Sequence, residues 1–511
     1  MKNLINQILS TIILFAFVIS PFAQTNQYPV KRTETPETWA RDGWNAIEKA
    51  KQVKMRKGKA KNVILFIGDG MGITTLTASR ILEGQLRGES GEENRLSFEE
   101  FPFSAFSKTY STNQQTSDSA PTMSAIISGI KTDEGVLSVN QNVVHADYKT
   151  VKGNETMTLL EMAEMKGLST GVVSTARLTH ATPGACYAHT CDRDWESDAD
   201  ISTRSKDAFN AKFPDIARQL IEFPFGDGLE VAMGGGRPKF LPKDEVDPEY
   251  SDKKGERLDG RNLTKEWLNK YKDSNYIFDK KGFDSIDPKK TKHLLGLFDL
   301  SHMQYEFDRK TDKGGEPSLS EMTSKAIDLL SNNKKGFFLM VEGGRIDHAH
   351  HNGNAFRALT ETIELSNAVR TAANKVNLDE TLIVVTADHS HTFNMGGYPI
   401  RGNNILGLTQ EVDGKGMLEE KPRTDKNGKP YTTLNYANGK GARGERPNLT
   451  QAEVTSPDYK QEAVIPLSDE THGGEDVAIY ANGVNAYLVR GSMEENWIFY
   501  VMADALRLRN K

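Results

Sequence analysis

The fold class follows from one stretch of the chain, Asn62-Val-Ile-Leu-Phe-Ile-Gly-Asp69-Gly-Met-Gly72. Its first six residues form a nearly unbroken apolar run, which is typical of a parallel strand that is covered on both faces. The run then enters a glycine-rich turn that carries one carboxylate, Asp69. Because ligands of open α/β sheets bind beyond the carboxyl ends of the strands, Asp69 is a candidate site residue.

Similar apolar runs recur along the chain and alternate with helical patterns. Residues 320–330 follow the capping-box pair Ser318 and Glu321 and carry an apolar stripe, and a second striped helix is predicted at residues 354–376. This alternation predicts a three-layer α/β/α fold with a mostly parallel central sheet. Further strands are predicted at residues 170–174, 230–233, 337–341, 381–386 and 477–480.

Two segments interrupt the alternation. Residues 243–318 are rich in Lys, Asp and Gly, and residues 402–461 are rich in Gly, Lys, Asn and Pro with little periodicity. We expect both to be peripheral insertions in one domain that spans residues 24–511.

Carboxylate and imidazole side chains gather beside the predicted strands. A single Asp after a strand is usually a helix cap, but the chain has only 11 histidines and several of them recur next to aspartates. Mixed His and Asp ligands suit zinc, and oxygen ligands suit magnesium, so the pattern predicts a metal site. These residues are Asp69, His180, Glu342, Asp347, His348, His351, Asp388, His389, His391 and His472.

Ser119 is the candidate nucleophile, in Thr116-Ser-Asp-Ser-Ala-Pro-Thr122. The stretch predicts a loop that enters a helix running to about residue 127. A serine there is commonly only a cap, but the same position offers backbone N–H groups and the positive helix end to a phosphate. Neither a GxSxG motif nor a Ser–His–Asp arrangement is readable, so a metal ion would have to activate Ser119.

The composition is that of a soluble globular protein, with 37% hydrophobic and 26% charged residues among 511. The net charge of −6 indicates no nucleic-acid-binding surface.

Residues 1–23 are predicted to be a signal peptide. Lys2 precedes an apolar run at residues 8–19, and Ala23 offers a cleavage point. The alternative is a membrane anchor, but the run is shorter than the roughly 20 residues that a span needs. We therefore expect a secreted or periplasmic protein without a membrane span or a C-terminal lipid-anchor signal.

The chain has two cysteines, Cys186 and Cys191, which exclude a disulfide framework. One short-loop disulfide and two free thiols both remain open at this point.

The motifs together resemble the alkaline phosphatases, and the animal-type branch more than the shorter bacterial one. The similarity runs from about residue 35 to about residue 506. It rests on motifs in the family's order: the block at residues 62–72, Asp-Ser-Ala at 118–120, His-Ala-Thr-Pro at 180–183, Asp-Arg-Asp-Trp at 192–195, Val-Glu-Gly-Gly-Arg-Ile-Asp-His at 341–348, Thr-Ala-Asp-His-Ser-His at 386–391 and Thr-His-Gly-Gly-Glu-Asp at 471–476.

The resemblance implies two zinc ions and one magnesium ion. One zinc ion would be held by Asp347, His351 and His472, with His391 close by. The other would be held by Asp69, Asp388 and His389 together with Ser119, and magnesium would be held by Asp69, Thr182 and Glu342. Arg193 would grip the substrate phosphate, and His180 and His348 would lie around the magnesium site.

The animal-type branch also implies a peripheral calcium ion and a homodimer. The calcium ligands would be Glu249, the Phe298 carbonyl, Asp299 and Glu316, with the acid type exchanged at the last two positions relative to the family pattern. Residues 402–461 would be the crown insertion that caps the dimer, and Tyr398 would reach the neighbouring subunit's site.

The implied activity is hydrolysis of small phosphate monoesters through a phosphoserine at Ser119. Three alternatives stay open: a related metal-dependent phosphodiesterase or sulfatase, an inactive protein that binds phosphate or zinc, and a non-catalytic surface module.

Overall fold

The computed structural model describes residues 34–419 and 421–508, so the predicted signal peptide lies outside the described residues. The strands are β1 (Asn62–Gly68), β2 (Phe103–Lys108), β3 (Ser169–Arg177), β4 (Val231–Gly235), β5 (Ser274–Ile277), β6 (His293–Leu297), β7 (Phe337–Gly343), β8 (Thr381–Thr386), β9 (Ser390–His391), β10 (Phe393–Met395), β11 (Leu434–Gly439), β12 (Ala463–Pro466), β13 (His472–Gly473), β14 (Val477–Gly483) and β15 (Ser492–Glu494).

The helices surround these strands. They are α1 (Pro36–Lys51), α2 (Ile73–Leu86), α3 (Ser119–Ser128), α4 (Leu159–Met165), α5 (Ala181–Gly184), α6 (Asp198–Arg204), α7 (Lys206–Asn210), α8 (Ile216–Glu222), α9 (Leu263–Lys270), α10 (Lys280–Ser285), α11 (Leu319–Leu330), α12 (Arg345–His351), α13 (Ala355–Lys375), α14 (Gln451–Val454) and α15 (Trp497–Leu506).

A 10-stranded sheet forms the centre, in the order β15-β2-β14-β8-β1-β7-β3-β4-β6-β5. Its pairs are parallel except that β14 runs antiparallel to both β2 and β8. The predicted strands at residues 62–67, 170–174, 230–233, 337–341, 381–386 and 477–480 are therefore confirmed, with ends that differ by a few residues.

The central strand β1 shows why the fold has three layers. Val63, Leu65 and Ile67 belong to the apolar core on one face of the sheet, and Ile64 and Phe66 belong to the core on the other face. Because successive side chains of a strand point to opposite faces, an unbroken apolar run needs a helical layer on each side. The predicted α/β/α fold is confirmed.

Residues 243–318 contribute to the sheet as well as to its periphery. The short strands β5 and β6 extend its edge beyond β4. Neither was predicted, because each is short and lies among polar residues. From residues 402–461, β11 joins a separate three-stranded sheet with β10 and β12, which flank that segment in the chain.

Local capping agrees with the sequence. Ser318 and Glu321 form the predicted capping box of α11. Cys186 and Cys191 are both buried free thiols, which decides the question that the sequence left open. Within the described part of the chain, every helix is too short or too polar to cross a bilayer.

Candidate metal centre and nucleophile

Strand register brings three carboxylates to one edge of the sheet. β1 pairs in parallel with β7 and β8, so that Ile67 lies opposite both Glu342 and Thr386. Asp69 and Asp388 each follow two residues after these paired positions. Since all three strands end at the same edge, Asp69, Glu342 and Asp388 meet there, and all three are fully buried.

The pairing of two short strands brings the distant His472 to the same edge. The two-residue strands β9 and β13 pair antiparallel and place His472 opposite His391. The imidazole of His389 stacks on that of His472, with ring centroids 3.7 Å apart.

Ser119 lies at the first turn of α3. The preceding Asp118 caps this helix by accepting a hydrogen bond from the Ala120 N–H at 2.6 Å. Ser119 Oγ lies 3.1 Å from His389 Nε2 and 3.4 Å from Asp69 Oδ1. The candidate nucleophile is therefore held beside the carboxylates and not at a free surface.

Four side chains converge in a first cluster: Asp347, His351, His391 and His472. The Nε2 atoms of His351 and His472 lie 3.1 Å apart. Each of these rings places its Nδ1 against a backbone carbonyl, His351 against Glu470 O and His472 against Ser117 O. Nδ1 must then carry the proton, so two Nε2 lone pairs face each other, an arrangement that a cation between them would satisfy.

The second cluster surrounds Ser119. His389 Nε2 lies 3.3 Å from Asp69 Oδ1 and 3.6 Å from Asp388 Oδ2. Oδ1 of Asp388 accepts hydrogen bonds from the Gly70 and His389 N–H groups, whereas its Oδ2 is buried without a hydrogen-bond partner. These donor atoms suit a bound cation.

The third cluster contains Asp69, His180 and Glu342. Glu342 Oε2 accepts a hydrogen bond from Ser174 Oγ. Its Oε1, the Thr182 hydroxyl and Asp69 Oδ2 are buried without hydrogen-bond partners. Oxygens of Asp69 and Glu342 converge here and the Thr182 hydroxyl lies at Glu342, which fits an oxygen-binding cation such as magnesium.

The pKa values of the buried carboxylates are raised, as expected where several acids lie close together. Burial, reinforced by Asp388 and other acids, raises the pKa of Asp69 well above its usual range. Burial raises the pKa of Glu342 to about 8 and that of Asp388 to about 6, in both cases with like charges adding to the effect. Bound cations would relieve both the burial penalty and the repulsion, so the residues present fit a metal centre.

Arg193 reaches this centre from the loop before α6. Its Nη1 donates to Asp118 Oδ1 at 2.9 Å, and its Nη2 lies 3.2 Å from His180 Nε2. Asp118 thus links the cap of α3 to the guanidinium, which fixes Arg193 on the Ser119 side of the centre. His348 lies farther out, with its ring centroid 5.5 Å from that of His180 and its Nδ1 unpartnered.

The predicted calcium ligands are only partly brought together. Asp299 and Glu316 converge with Asp312, which was not predicted. Burial, reinforced by Asp299 and Asp312, raises the pKa of Glu316 to about 9. Glu249 lies nearby but accepts a 2.7 Å hydrogen bond from Arg237 Nη2, and Phe298 directly precedes Asp299.

Two further residues of the centre were not singled out from the sequence. Glu470 Oε2 lies 2.6 Å from His391 Nδ1. His302 packs against His348 with ring centroids 3.9 Å apart and contacts Arg177. Glu470 directly precedes the motif at residues 471–476. This position beside His472 is the only feature of the sequence that points to Glu470. Nothing in the sequence pattern indicated His302.

Comparison with known proteins identifies the family of this chain. The family model described as "Alkaline phosphatase" matches residues 60–508. The chain is 44% identical over 488 residues to the alkaline phosphatase of Gadus morhua, covering 94% of this chain and 98% of that protein. It is 43% identical over 505 residues to the human tissue-nonspecific isozyme, covering 96% of this chain and 93% of that protein.

Solved structures share the fold at lower identity. Thermus thermophilus alkaline phosphatase superposes with a TM-score of 0.64 at 22% identity, covering 89% of this chain and 93% of that one. The enzyme of the Antarctic bacterium TAB5 gives a TM-score of 0.60 at 20% identity, covering 89% of this chain and 100% of that one. A histidine-to-aspartate variant of the TAB5 enzyme is described with magnesium in its M3 site.

Proposed function

The chain belongs to the alkaline phosphatase family and is a phosphomonoesterase. We propose that it works through a covalent phosphoserine at Ser119, with two zinc ions and one magnesium ion. The observation that carries the proposal is the position of Ser119 Oγ, which lies within 3.4 Å of both His389 Nε2 and Asp69 Oδ1 at the start of α3.

Each ion has a set of donors. Asp347, His351 and His472, with His391, would hold the first zinc ion, and Asp69, Asp388 and His389 would hold the second beside Ser119. Asp69, Thr182 and Glu342 would hold magnesium. When bound, these ions would supply the Lewis acidity that favours the serine alkoxide, stabilises the departing oxygen and acidifies water.

Arg193 would hold the phosphate of the substrate. A guanidinium offers two parallel donors that match two non-bridging phosphate oxygens. The Asp118 carboxylate, which accepts from Arg193 Nη1 at 2.9 Å, orients it before substrate arrives. The positive end of the α3 dipole favours an anion on the same side, although the Ala120 N–H is already bound to Asp118.

Ser119 would then attack phosphorus and release the alcohol. Its oxygen forms the new P–O bond while the bond to the leaving oxygen breaks, and that oxygen departs as the alcohol after taking a proton. Water next attacks the phosphoserine, which frees inorganic phosphate and returns the serine. His389 does not need to act as the base, since its Nε2, 3.3 Å from Asp69 Oδ1, would be taken up by the second zinc ion.

Calcium, dimerisation and export complete the proposal. Asp299 and Glu316, joined by Asp312, would hold a calcium ion. A second copy of the chain would cover α1, on which Trp39 and Trp44 are exposed, and Tyr398, which is 86% exposed. The mature protein would act outside the cytoplasm, after removal of residues 1–23.

The test compares hydrolysis of p-nitrophenyl phosphate and bis-p-nitrophenyl phosphate at alkaline pH, before chelation, after it, and after zinc and magnesium are restored. We expect fast hydrolysis of the monoester, which chelation abolishes and which zinc and magnesium together restore. Preference for the diester would move the function to a phosphodiesterase, and inactivity towards both with metals bound would favour a binding protein.

Ser119→Ala tests the nucleophile. Turnover should fall by at least about 10³-fold, because the covalent route is removed, while zinc content by metal analysis should stay. Ser128→Ala, at the other end of α3, is the matched control. A phosphorylated peptide containing Ser119, trapped at low pH in the wild type, should be missing from Ser119→Ala. Its persistence there would assign the phosphoryl group to another residue.

A further inference from the structure

A cavity of about 510 Å³ opens next to the metal centre. It is lined by Tyr305, Arg345, His348, His351, Asn352 and Asp469, of which His351 belongs to the first cluster of the centre. Arg345, His348 and His351 follow one another at three-residue spacing on α12, so they lie along one face of that helix. With a rise of 1.5 Å per residue, Arg345 lies about 9 Å along the helix from His351.

Arg345 is an arginine without an anion. Among the described residues, no carboxylate lies within 4.0 Å of its guanidinium, and its Nε is buried without a hydrogen-bond partner. The buried Glu361 feels its charge only from farther away. A partly buried guanidinium with an unused donor normally has a partner, because desolvation without one is unfavourable.

Tyr305 fixes the orientation of this guanidinium. The Arg345 guanidinium carbon lies 3.8 Å from the centroid of the Tyr305 ring, which is a close cation–π stack. The Tyr305 hydroxyl accepts a 3.3 Å hydrogen bond from Asn352 Nδ2. Arg357 lies 5.7 Å from the same ring centroid, and Asp308 binds Arg357. The ring is therefore held in place, and the guanidinium is positioned before any ligand enters.

The other charges on the cavity wall are already paired. Asp469 forms a 2.6 Å ion pair with Lys440, which also donates to Asn352 Oδ1. His351 faces Asp347. Of the charged side chains lining the cavity in the described structure, Arg345 alone has no opposite charge at salt-bridge distance.

We propose that Arg345 and Tyr305 form a subsite for a second anionic group on the leaving group of the substrate. The preferred substrates are then phosphate monoesters that carry a carboxylate or a further phosphate at the far end of the alcohol. This inference rests on the proposed function, because the leaving group must extend from the centre along α12 towards Arg345. The Tyr305 ring adds an apolar face for the body of that group.

The test uses two matched aryl esters, 4-carboxyphenyl phosphate and 4-carbamoylphenyl phosphate, which differ in charge at one end. We expect the wild type to have the higher kcat/KM for the carboxylate. Arg345→Gln should lower the ratio of the two kcat/KM values about tenfold, the loss expected for one charge-assisted hydrogen bond. Arg345→Lys should lower the ratio less, since it keeps the charge but not the planar pair of donors.

Binding is measured separately by calorimetry, with 4-carboxybenzylphosphonate and 4-carbamoylbenzylphosphonate on the metal-loaded protein. Tyr305→Leu should weaken only the preference for the carboxylate, and Tyr305→Phe should largely keep it. Equal losses for both members of a pair would show that Arg345 supports the metal centre and would overturn the subsite, as would a ratio near one in the wild type. If the wild type hydrolyses neither ester yet binds the carboxylate better, the phosphatase assignment fails and the subsite stands.

Discussion

At the residue scale, the candidate zinc site depends on which nitrogen of each imidazole carries the proton. The carbonyls of Glu470 and Ser117 accept from Nδ1 of His351 and His472. Burial opposes a charge on His391, but Glu470 and Asp347 together raise its pKa to about 10. A cation bound beside Asp347 would oppose a proton on His391 Nε2, so metal binding and protonation of His391 would be coupled.

Gly70→Ala should disable the centre. Gly70 has a φ of +66°, and a Cβ there would lie 2.3 Å from His391 Nε2. Since the backbone conformation is also unfavourable for alanine, the loop must move and displace both His391 and Asp69. We expect at least about a hundredfold loss of activity together with a lower zinc content.

Gly444→Ala is the control for this change, because a Cβ at Gly444 meets nothing within 4 Å. Metal analysis and p-nitrophenyl phosphate turnover measure both variants. Full zinc content and normal turnover in Gly70→Ala would contradict the close approach described above.

The sequence indicated the residues that directly follow strands much better than those that support them. Asp69, Asp347 and Asp388 stand in short motifs at strand ends, where the sheet edge itself predicts a site. Asp312 and His302 reach their clusters through loops, and no local pattern reports where a loop returns. Thr182 was assigned through the family resemblance, because a threonine carries no metal signal of its own.

At the scale of elements, the long apolar strands were predictable and the sheet edges were not. β1, β7 and β8 are covered on both faces, so their composition is distinctive. β5 and β15 are short edge strands in which all residues but one, Ile277 and Met493 respectively, are exposed or half-buried. Their pairing depends on the neighbour already being in place, which no local sequence pattern encodes.

The junction of α4, β3 and β4 contains two buried acids. Thr170 Oγ1 donates to Glu164 Oε1, and the Thr170 N–H donates to Glu230 Oε2, both at 2.6 Å. Burial and the charge of Glu230 raise the pKa of Glu164 to about 9, and burial raises that of Glu230 to about 8. The folded protein therefore keeps protons here that the unfolded chain releases near pH 4 to 5.

Glu164→Gln should stabilise the protein increasingly as pH rises. Because the folded pKa lies above the unfolded one, the stability from Glu164 is complete below about pH 4 and is lost as pH rises towards 9. Glutamine does not titrate. The free energy of unfolding of the variant, relative to that of the wild type, should therefore rise by up to about 1.4 kcal/mol per pH unit. Urea unfolding at pH 5, 7 and 9 measures this difference.

Glu222→Gln is the matched control for that series. Burial opposes the Glu222 charge, but Arg218 and Arg261 lower its pKa overall. Its replacement should therefore give no gain that grows with pH. A pH-independent difference for Glu164→Gln would mean that Glu164 ionises normally in the folded protein.

At the scale of the whole molecule, the metal centre is part of the core as well as the site. Asp69, Glu342 and Asp388 are 0% exposed at the edge of the central strands. Their mutual repulsion acts on β1, β7 and β8, which hold the two helical layers together. Ligands that bind only the folded state stabilise it by mass action.

Chelation should therefore lower the unfolding temperature as well as the activity. We expect a fall of several degrees, reversed by zinc and magnesium together and only partly by either alone, as read by differential scanning calorimetry. Asp312→Asn separates the peripheral site, since it should remove any additional stabilisation by calcium and leave the response to zinc and magnesium. An unchanged unfolding temperature in the chelated protein would place the ions outside the folding equilibrium.

The pairing of β9 with β13 makes the position of two histidines of the centre largely independent of the peripheral segment between them. His391 and His472 are joined by a ladder of only two residues on each strand. The chain segment between them, residues 392–471, therefore begins and ends at this strand pair. The free energy needed to close such an excursion grows only slowly with its length. Apart from Glu470, which holds His391, the segment can therefore be lengthened, shortened or exchanged while the β9–β13 pair is kept, so the outer face can change without a change at the candidate metal centre.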